Sequence, residues 1–235
     1  MIDALRAGFD QMQISYPALA PQQLAAYFSL LMEANATMNL TSITDPDEAV
    51  SLHFLDSAAI LSRDWLQSGM RCVDVGAGAG FPGLVLAILR PEISFTLMDA
   101  LRKRVIFLTR AAERLGLTNV RAIHLRAEDA GQQGTHREQY DIALARAVAS
   151  LPVLCEYCLP LLRIGGQMVA YKGPQGREEA RQAQRAMRVL GAKPPTLYDA
   201  HVPGREHVLI RAVKDMHTPR QYPRRAGQAH KQPLL

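Results

Sequence analysis

Three glycines alternate with small residues directly after a short apolar run that contains Asp74. They are Gly76, Gly78 and Gly80, within the stretch VDVGAGAGFPG (residues 73–83). Glycine lets the backbone approach a ligand closely because it has no side chain. The loop therefore predicts a ligand cradle, and three ligands fit it: a dinucleotide, a phosphate group or another nucleoside. A phosphate-binding P-loop is excluded because no Gly-Lys-Ser/Thr follows.

Charged residues come at or just after the ends of three later apolar runs. Asp99 ends one run, Glu128 follows the next in LRAED, and Arg146 ends a third. A carboxylate at Asp99 can accept hydrogen bonds from both hydroxyls of a ribose. If the ligand is an adenine nucleoside, Glu128 and the backbone of Ala127 are placed to contact the edge of its adenine, and Arg146 ends the strand that faces the ligand's reactive group. Each residue alone also fits a structural role, as a helix N-cap, an exposed acid or a surface ion pair.

The elements that must position these residues alternate between strand and helix from residue 71 onward. Short apolar runs predict strands at 71–75, 94–99, 120–125, 140–146 and 166–173. Helical patterns predict helices at 81–90, 102–116, about 150–163 and 176–190. Two last strands, in TLYDAHV and EHVLIRAVK, flank a turn at Pro203-Gly204 and predict an antiparallel edge. The alternation predicts an α/β fold, a mostly parallel twisted sheet with helices on both faces. Ligands bind at the carboxyl ends of the strands in such a sheet.

The register of the glycine loop bears on which cofactor it holds. Gly78, Gly80 and Gly83 match the GxGxxG pattern of NAD or FAD sites. An acid two residues before three alternating glycines, however, resembles motif I of class I S-adenosylmethionine methyltransferases. A helical region of about 70 residues also precedes the first strand, whereas dinucleotide folds commonly begin near theirs. We therefore expect a Rossmann-like class I methyltransferase that uses S-adenosylmethionine.

Several further blocks are more specific than the glycine loop. They are MNLTSITDPDEAVSLHFLDS, DVGAGAGFPGLVLAILRP, LMDALRKRVIFL, RAED, ARAVASL and YKG. From about residue 20 to the C-terminus the chain resembles the bacterial small-subunit ribosomal RNA guanine-N7 methyltransferases, the RsmG or glucose-inhibited division protein B family. The resemblance implies that S-adenosylmethionine methylates N7 of a guanine in the 530-loop region of 16S rRNA, as RNA or within the 30S subunit. The family's cofactor contacts fall on Gly76, Phe81, Ala127, Glu128 and Arg146; many relatives carry Leu at the Phe81 position.

The same blocks supply candidates for the substrate side of the site. Guanine N7 has a free lone pair, so its methylation needs alignment with the methyl group but no general base. His53 and Asp56 are three residues apart and share a helix face, where they could line the RNA side or dock the helix on the sheet. Asn39 could touch substrate or cap a helix. Lys172 ends the fifth strand, where it could meet a phosphate or guanine O6. With Arg146, these four residues are the predicted catalytic set.

Positive charge is concentrated near the C-terminus. The chain has a net charge of +5, and residues 211–235 hold six Lys/Arg and one acid. We expect a helical extension (1–66), a methyltransferase domain (67–215) and a basic tail (216–235). The tail predicts contact with RNA phosphates, and a merely solvated terminus is the alternative.

Other functions and locations are less consistent with the sequence. Cys155 and Cys158 form a CxxC that could be a redox pair or half a zinc site, but no second ligand pair completes it, and two buried helix positions explain it better. We expect no metal. No apolar run approaches the length of a membrane helix and no signal peptide is recognisable, so we expect a cytoplasmic protein. The competing functions are a nicotinamide oxidoreductase and an RNA-binding assembly factor with a vestigial site.

Overall fold

Seven strands form a single sheet in the computed structural model, which describes residues 1–202, 204 and 206–235. The strands are β1 (Arg71–Val75), β2 (Ser94–Asp99), β3 (Val120–His124), β4 (Tyr140–Arg146), β5 (Leu162–Lys172), β6 (Thr196–Asp199) and β7 (Val208–Val213). Their order is β3-β2-β1-β4-β5-β7-β6. β1 to β5 are parallel, and β7 runs antiparallel between β5 and β6. The predicted fold class is confirmed; the turn predicted at Pro203 lies outside the described residues.

Helices cover both faces of this sheet. They are α1 (Ile2–Gln11), α2 (Ala20–Met38), α3 (Pro46–Ala49), α4 (Asp56–Ala58), α5 (Gly83–Leu89), α6 (Arg102–Arg114), α7 (Ala127–Ala130), α8 (Leu151–Cys158), α9 (Gly176–Gln182), α10 (Gln184–Val189) and α11 (Gln228–Lys231). Helices α1 to α6 share one apolar core with one sheet face, and α7 to α11 share a second core with the other. The helix predicted at 150–163 ends earlier, at Cys158, and Pro160 lies in the short 3₁₀ turn before β5. Proline cannot donate the hydrogen bond that would continue an α-helix.

Residues 1–66 contain helices joined by loops and no strand, as the sequence pattern predicted. Leu24, Tyr27 and Leu31 on α2 are fully buried in the core that also contains α5. The Asp45 side chain caps α3 by accepting hydrogen bonds from the backbone amides of the next turn, at 2.9 Å each. Between α3 and α4 the chain makes a π-helical turn, Val50–Leu55. Because the extension has no core of its own, its side chains can contribute directly to a site at the sheet edge.

The C-terminal segment (residues 216–235) packs against α8 and the residues between α7 and β4, on the side of the second core. Thr218 and Ala229 of this segment are buried. Lys214 lies just before the segment in the chain, and its ammonium group donates a hydrogen bond to Thr218 Oγ1 at 2.6 Å. Burial lowers the pKa of Lys214 to about 8. Arg224 pairs with Glu156 at 2.6 Å. The segment is thus packed into the fold rather than merely solvated, and contact between its exposed basic side chains and RNA phosphates stays a prediction. Within the described residues, no helix is both long and apolar enough to cross a membrane.

Candidate active site

The glycine loop leaves β1 in a conformation that requires glycine. Gly76 has a φ of +72°, and a Cβ there would lie 2.7 Å from a methyl group of Val148. The Gly78 amide donates to Asp99 at 2.9 Å. Asp74, fully buried beneath the loop, accepts from the Gly83 amide at 2.8 Å, and burial raises the pKa of Asp74 to about 7. The loop is therefore held by two carboxylates from adjacent strands, and Val148 packs over it at Gly76.

A cavity of about 260 Å³, here called the glycine-loop cavity, opens at the tips of β1, β2 and β3. Four of the residues predicted to bind cofactor line it: Gly76, Asp99, Ala127 and Glu128. Asp99 is fixed because its Oδ1 accepts from the Leu101 amide at 2.8 Å while Oδ2 accepts from Gly78. Each carboxylate oxygen has two acceptor positions. Oδ2 also accepts from Arg104 at 3.5 Å, so Oδ1 is the oxygen with a position left for a ligand hydroxyl. The cavity can thus hold a polar, nucleoside-sized group against a backbone cradle.

A second cavity of about 370 Å³, here called the Arg146 cavity, lies at the tips of β4 and β5. The Arg146 guanidinium donates to the Leu52 carbonyl at 3.0 Å and to Asp56 Oδ2 at 2.7 Å. It also donates to His53 Nδ1 at 3.2 Å and lies 5.0 Å from the ring centre of Phe81. The structure thus brings Arg146, His53, Asp56 and Phe81 together, with Arg146 and Phe81 beside the second cavity rather than lining the first.

His53 lies in the π-helical turn, where its surroundings favour the neutral imidazole. Burial, followed by the charge of Arg146, lowers the pKa of His53 to about 4. Because Arg146 can only donate, Nδ1 must accept, and the ring proton sits on Nε2, which lies 2.9 Å from Thr41 Oγ1. The ring also stacks on Phe81, with centroids 4.2 Å apart. Both ring nitrogens of His53 are therefore occupied.

Asp56 is a buried carboxylate that stays ionised. Burial alone would raise its pKa, but the hydrogen bond from His207 and the charge of Arg146 outweigh burial and lower it. His207 Nδ1 lies 2.7 Å from Asp56 Oδ1, and Arg146 contacts the other oxygen. Since Arg146 and Asp56 balance each other, the cavity gathers hydrogen-bonding groups without a large net charge.

The two remaining predicted residues, Lys172 and Asn39, lie in different surroundings. The Lys172 ammonium lines the Arg146 cavity and donates to the Ala149 carbonyl and to Glu179 Oε2, both at 2.7 Å. Asn39 is exposed at the C-terminal cap of α2 in a left-handed conformation. It belongs to neither cavity lining, so it takes the helix-capping position that the sequence left open.

Sequence reasoning missed His207 and the C-terminal residues of the site. His207 lines the Arg146 cavity because it directly precedes β7. An antiparallel strand starts at the edge where its parallel neighbours end, so searching the start of the last strand would have found it. Gly227 and His230 line the glycine-loop cavity; no local pattern indicates that role, because it depends on how the C-terminal segment packs.

The cysteine pair lies away from both cavities. Cys155 and Cys158 are free and fully buried on α8, and burial raises the pKa of both thiols above the usual range. Over the part of the chain that the structure describes, no cluster of three or more His, Cys, Asp or Glu side chains could hold a metal ion. The CxxC therefore matches the buried-helix interpretation.

The two cavities share one loop. Ala147 lines the Arg146 cavity and Val148 lines the glycine-loop cavity, and Val148 also packs over Gly76. A ligand cradled by the glycine loop and a second molecule beside Arg146 would therefore be neighbours at one edge of the sheet. Such an arrangement suits transfer of a group between two bound molecules.

Comparisons with known proteins are consistent with this geometry. Residues 20–209 match the family model described as GidB, rRNA small subunit methyltransferase G. The ribosomal RNA small subunit methyltransferase G of Alkaliphilus metalliredigens is 46% identical over 91% of this chain and 90% of its own length. That of Pelotomaculum thermopropionicum is 41% identical over 100% of this chain and 99% of its own length.

Solved structures of lower identity share the fold. A SAM-dependent O-methyltransferase of Thermotoga maritima has a TM-score of 0.53 at 15% identity, covering 80% of this chain and 72% of that one. A predicted O-methyltransferase of Agrobacterium tumefaciens has a TM-score of 0.55 at 20% identity, covering 70% and 81%. At these identities the likeness concerns the fold alone.

Proposed function

The chain belongs to the rRNA small subunit methyltransferase G family, and on that premise we propose that it methylates N7 of a guanine in the 530-loop region of 16S rRNA. S-adenosylmethionine is the proposed methyl donor, and the RNA or the 30S subunit in the cytoplasm is the proposed substrate. The observation that carries the proposal is the pair of adjoining cavities, one cradled by glycines and one lined by Arg146 and Asp56. The choice of N7 and of the 530 loop rests on the sequence blocks that resemble the family.

The residues of the glycine-loop cavity fit S-adenosylmethionine. Gly76 lines the cavity with Val148 packed over it and suits the methionine part, and Asp99 suits the ribose hydroxyls. Ala127 and Glu128, at the start of α7, suit the adenine. When bound, this cofactor supplies an electrophilic methyl group on a sulfonium sulfur. The protein's task is to hold it so that the methyl group faces the Arg146 cavity.

The Arg146 cavity is suited to hold a guanine base and not to remove a proton from it. His53 is neutral, but both of its ring nitrogens are already hydrogen-bonded, so it is not a free base. This agrees with N7, whose lone pair attacks without prior deprotonation. Arg146 has five N–H donors, so some remain for a guanine O6 beyond its three contacts. Alignment of this kind can supply on the order of 7–11 kcal/mol of the barrier.

The ionised Asp56 contributes through its charge. Methylation at N7 makes the purine cationic, and a nearby carboxylate favours that change. His207 and Arg146 hold the carboxylate in place from both sides. Asp56 thus offsets the charge of Arg146 where positive charge develops on the base.

Calorimetry with S-adenosylhomocysteine and with NADH tests the cofactor assignment. We expect the full-length protein to bind S-adenosylhomocysteine and not NADH. NADH binding alone would favour the oxidoreductase. Binding of S-adenosylhomocysteine, together with a failure to methylate small subunits or their RNA, would favour an assembly factor with a vestigial site.

A further inference from the structure

The C-terminal segment forms one wall of the glycine-loop cavity. Gly227 and His230 line the cavity together with Glu128 and Tyr157. The Gly227 amide donates to Glu128 Oε1 at 3.1 Å, and the His230 and Tyr157 rings lie 6.3 Å apart. This is the side of the cavity where the start of α7 suits the adenine.

Buried anchors fix the segment in this position. Glu156, which is 1% exposed, accepts from the Arg224 amide at 2.7 Å and from its guanidinium at 2.9 and 2.6 Å. Arg137 donates to the carbonyls of Tyr222 at 2.7 Å and Thr218 at 2.6 Å. A hydrogen bond to a charged group contributes more than a neutral one, so these contacts favour the docked segment.

The anchored segment also fixes the carboxylate that faces the ligand. Gly227 has a φ of +78°, which directs its amide at Glu128 in a conformation that few other residues adopt. Burial and the Glu128 charge raise the pKa of Tyr157 to about 12, so the phenol stays protonated beside the carboxylate. One oxygen of Glu128 is thereby tied to the segment, which limits how the carboxylate can turn toward the cavity.

We propose that the C-terminal segment is part of the cofactor site, where Gly227 orients Glu128 and His230 flanks the adenine. The inference rests on the proposed function, because it takes the glycine-loop cavity as the cofactor site. Docking of the segment and binding of cofactor then stabilise each other, since linkage between two equilibria is reciprocal. His230 and Gly227 are positioning and binding residues that local sequence patterns do not indicate.

Hydrogen–deuterium exchange of the full-length protein, with and without S-adenosylhomocysteine, tests this coupling. We expect the ligand to slow exchange in residues 73–83 and also in residues 217–235. The exchange rate can fall by at most about 100-fold when the ligand is present at 100 times its Kd. Slowing in 73–83 with none in 217–235 would overturn the inference and leave the cofactor assignment intact. No binding and no slowing anywhere would overturn both.

A matched pair of variants tests the anchor. Arg224→Ala removes the guanidinium contacts to Glu156 and keeps the one from the backbone amide. Arg225→Ala removes a neighbouring, exposed arginine whose side chain has no ion pair within the described residues. Arg224→Ala should weaken S-adenosylhomocysteine binding about tenfold, the equivalent of one hydrogen bond to a charged group. Arg225→Ala should keep the wild-type Kd. Equal Kd values for both variants would contradict the inference.

His230→Ala provides a second variant that leaves the buried anchor intact, because the His230 side chain is exposed. It should weaken S-adenosylhomocysteine binding about threefold, a loss typical of one aromatic contact, with an unchanged melting temperature in the absence of ligand. A wild-type Kd would show that His230 does not flank the adenine.

Discussion

Between pH 7 and pH 5 the wild-type protein should lose about 2 kcal/mol more of its free energy of unfolding than the variant His53→Gln. Burial of the imidazole, followed by the charge of Arg146, lowers the pKa of His53 from 6.5 to about 4. Between those two values the unfolded chain binds a proton that the folded protein does not. The free energy of unfolding therefore falls as the pH falls through this window. The full shift corresponds to about 3 kcal/mol, of which about 2 kcal/mol is lost by pH 5.

Urea unfolding at both pH values measures the effect. Other groups titrate in both proteins, so the quantity of interest is the difference between the losses of wild type and His53→Gln. His124→Gln is the matched control, because it replaces an exposed imidazole, and it should keep the wild-type loss. If His53→Gln loses as much stability as wild type, the neutral His53 between Arg146 and Thr41 is refuted.

Three further predictions concern the loop, the second cavity and the RNA. Gly76→Ala should weaken S-adenosylhomocysteine binding more than about tenfold, because its Cβ meets Val148. Gly69 has a similar positive φ but open space around it. Gly69→Ala should therefore lose about 1–2 kcal/mol of stability through backbone strain and keep the wild-type affinity in calorimetry. Arg146→Ala should cost about 3 kcal/mol in urea unfolding by leaving Asp56 without its buried partner. It and Lys172→Ala should both lower methylation of small subunits; wild-type methylation by both would contradict their assignment. The C-terminal segment has three exposed basic side chains, Arg220, Arg225 and Lys231. Neutralising them should reduce the slope of log K for RNA binding against log salt concentration by about 0.7 for each lost phosphate contact. An unchanged slope would show that these side chains do not contact the RNA.

The sheet could be predicted from sequence because its strands are short apolar runs with clear ends. β1, β2 and β4 have the predicted bounds, since glycine, proline and charged residues stop each run. Parallel strands end at one edge, so the sequence alone assigns Asp99 and Arg146 to that edge. The spacing of His53 and Asp56 likewise predicted a shared face, and both contact Arg146.

Long-range packing limited the rest of the prediction. The charge of the C-terminal residues suggested an arm, but Lys214 is buried and Arg224 pairs with Glu156, 68 residues earlier. Charge along a sequence does not reveal a partner that distant. His207 was missed for a related reason, because its place beside Asp56 depends on the antiparallel pairing of β7 with β5.

Mass mapping of methylated nucleosides identifies the atom and the RNA region that the protein methylates. Small subunits from cells that lack this protein would be incubated with the purified protein and S-adenosylmethionine, and their 16S rRNA digested and compared with an untreated sample. We expect one new 7-methylguanosine, located in the 530-loop region and absent when Arg146→Ala replaces the wild-type protein. Methylation of another atom or another region, or no methylation at all, would contradict the proposed function.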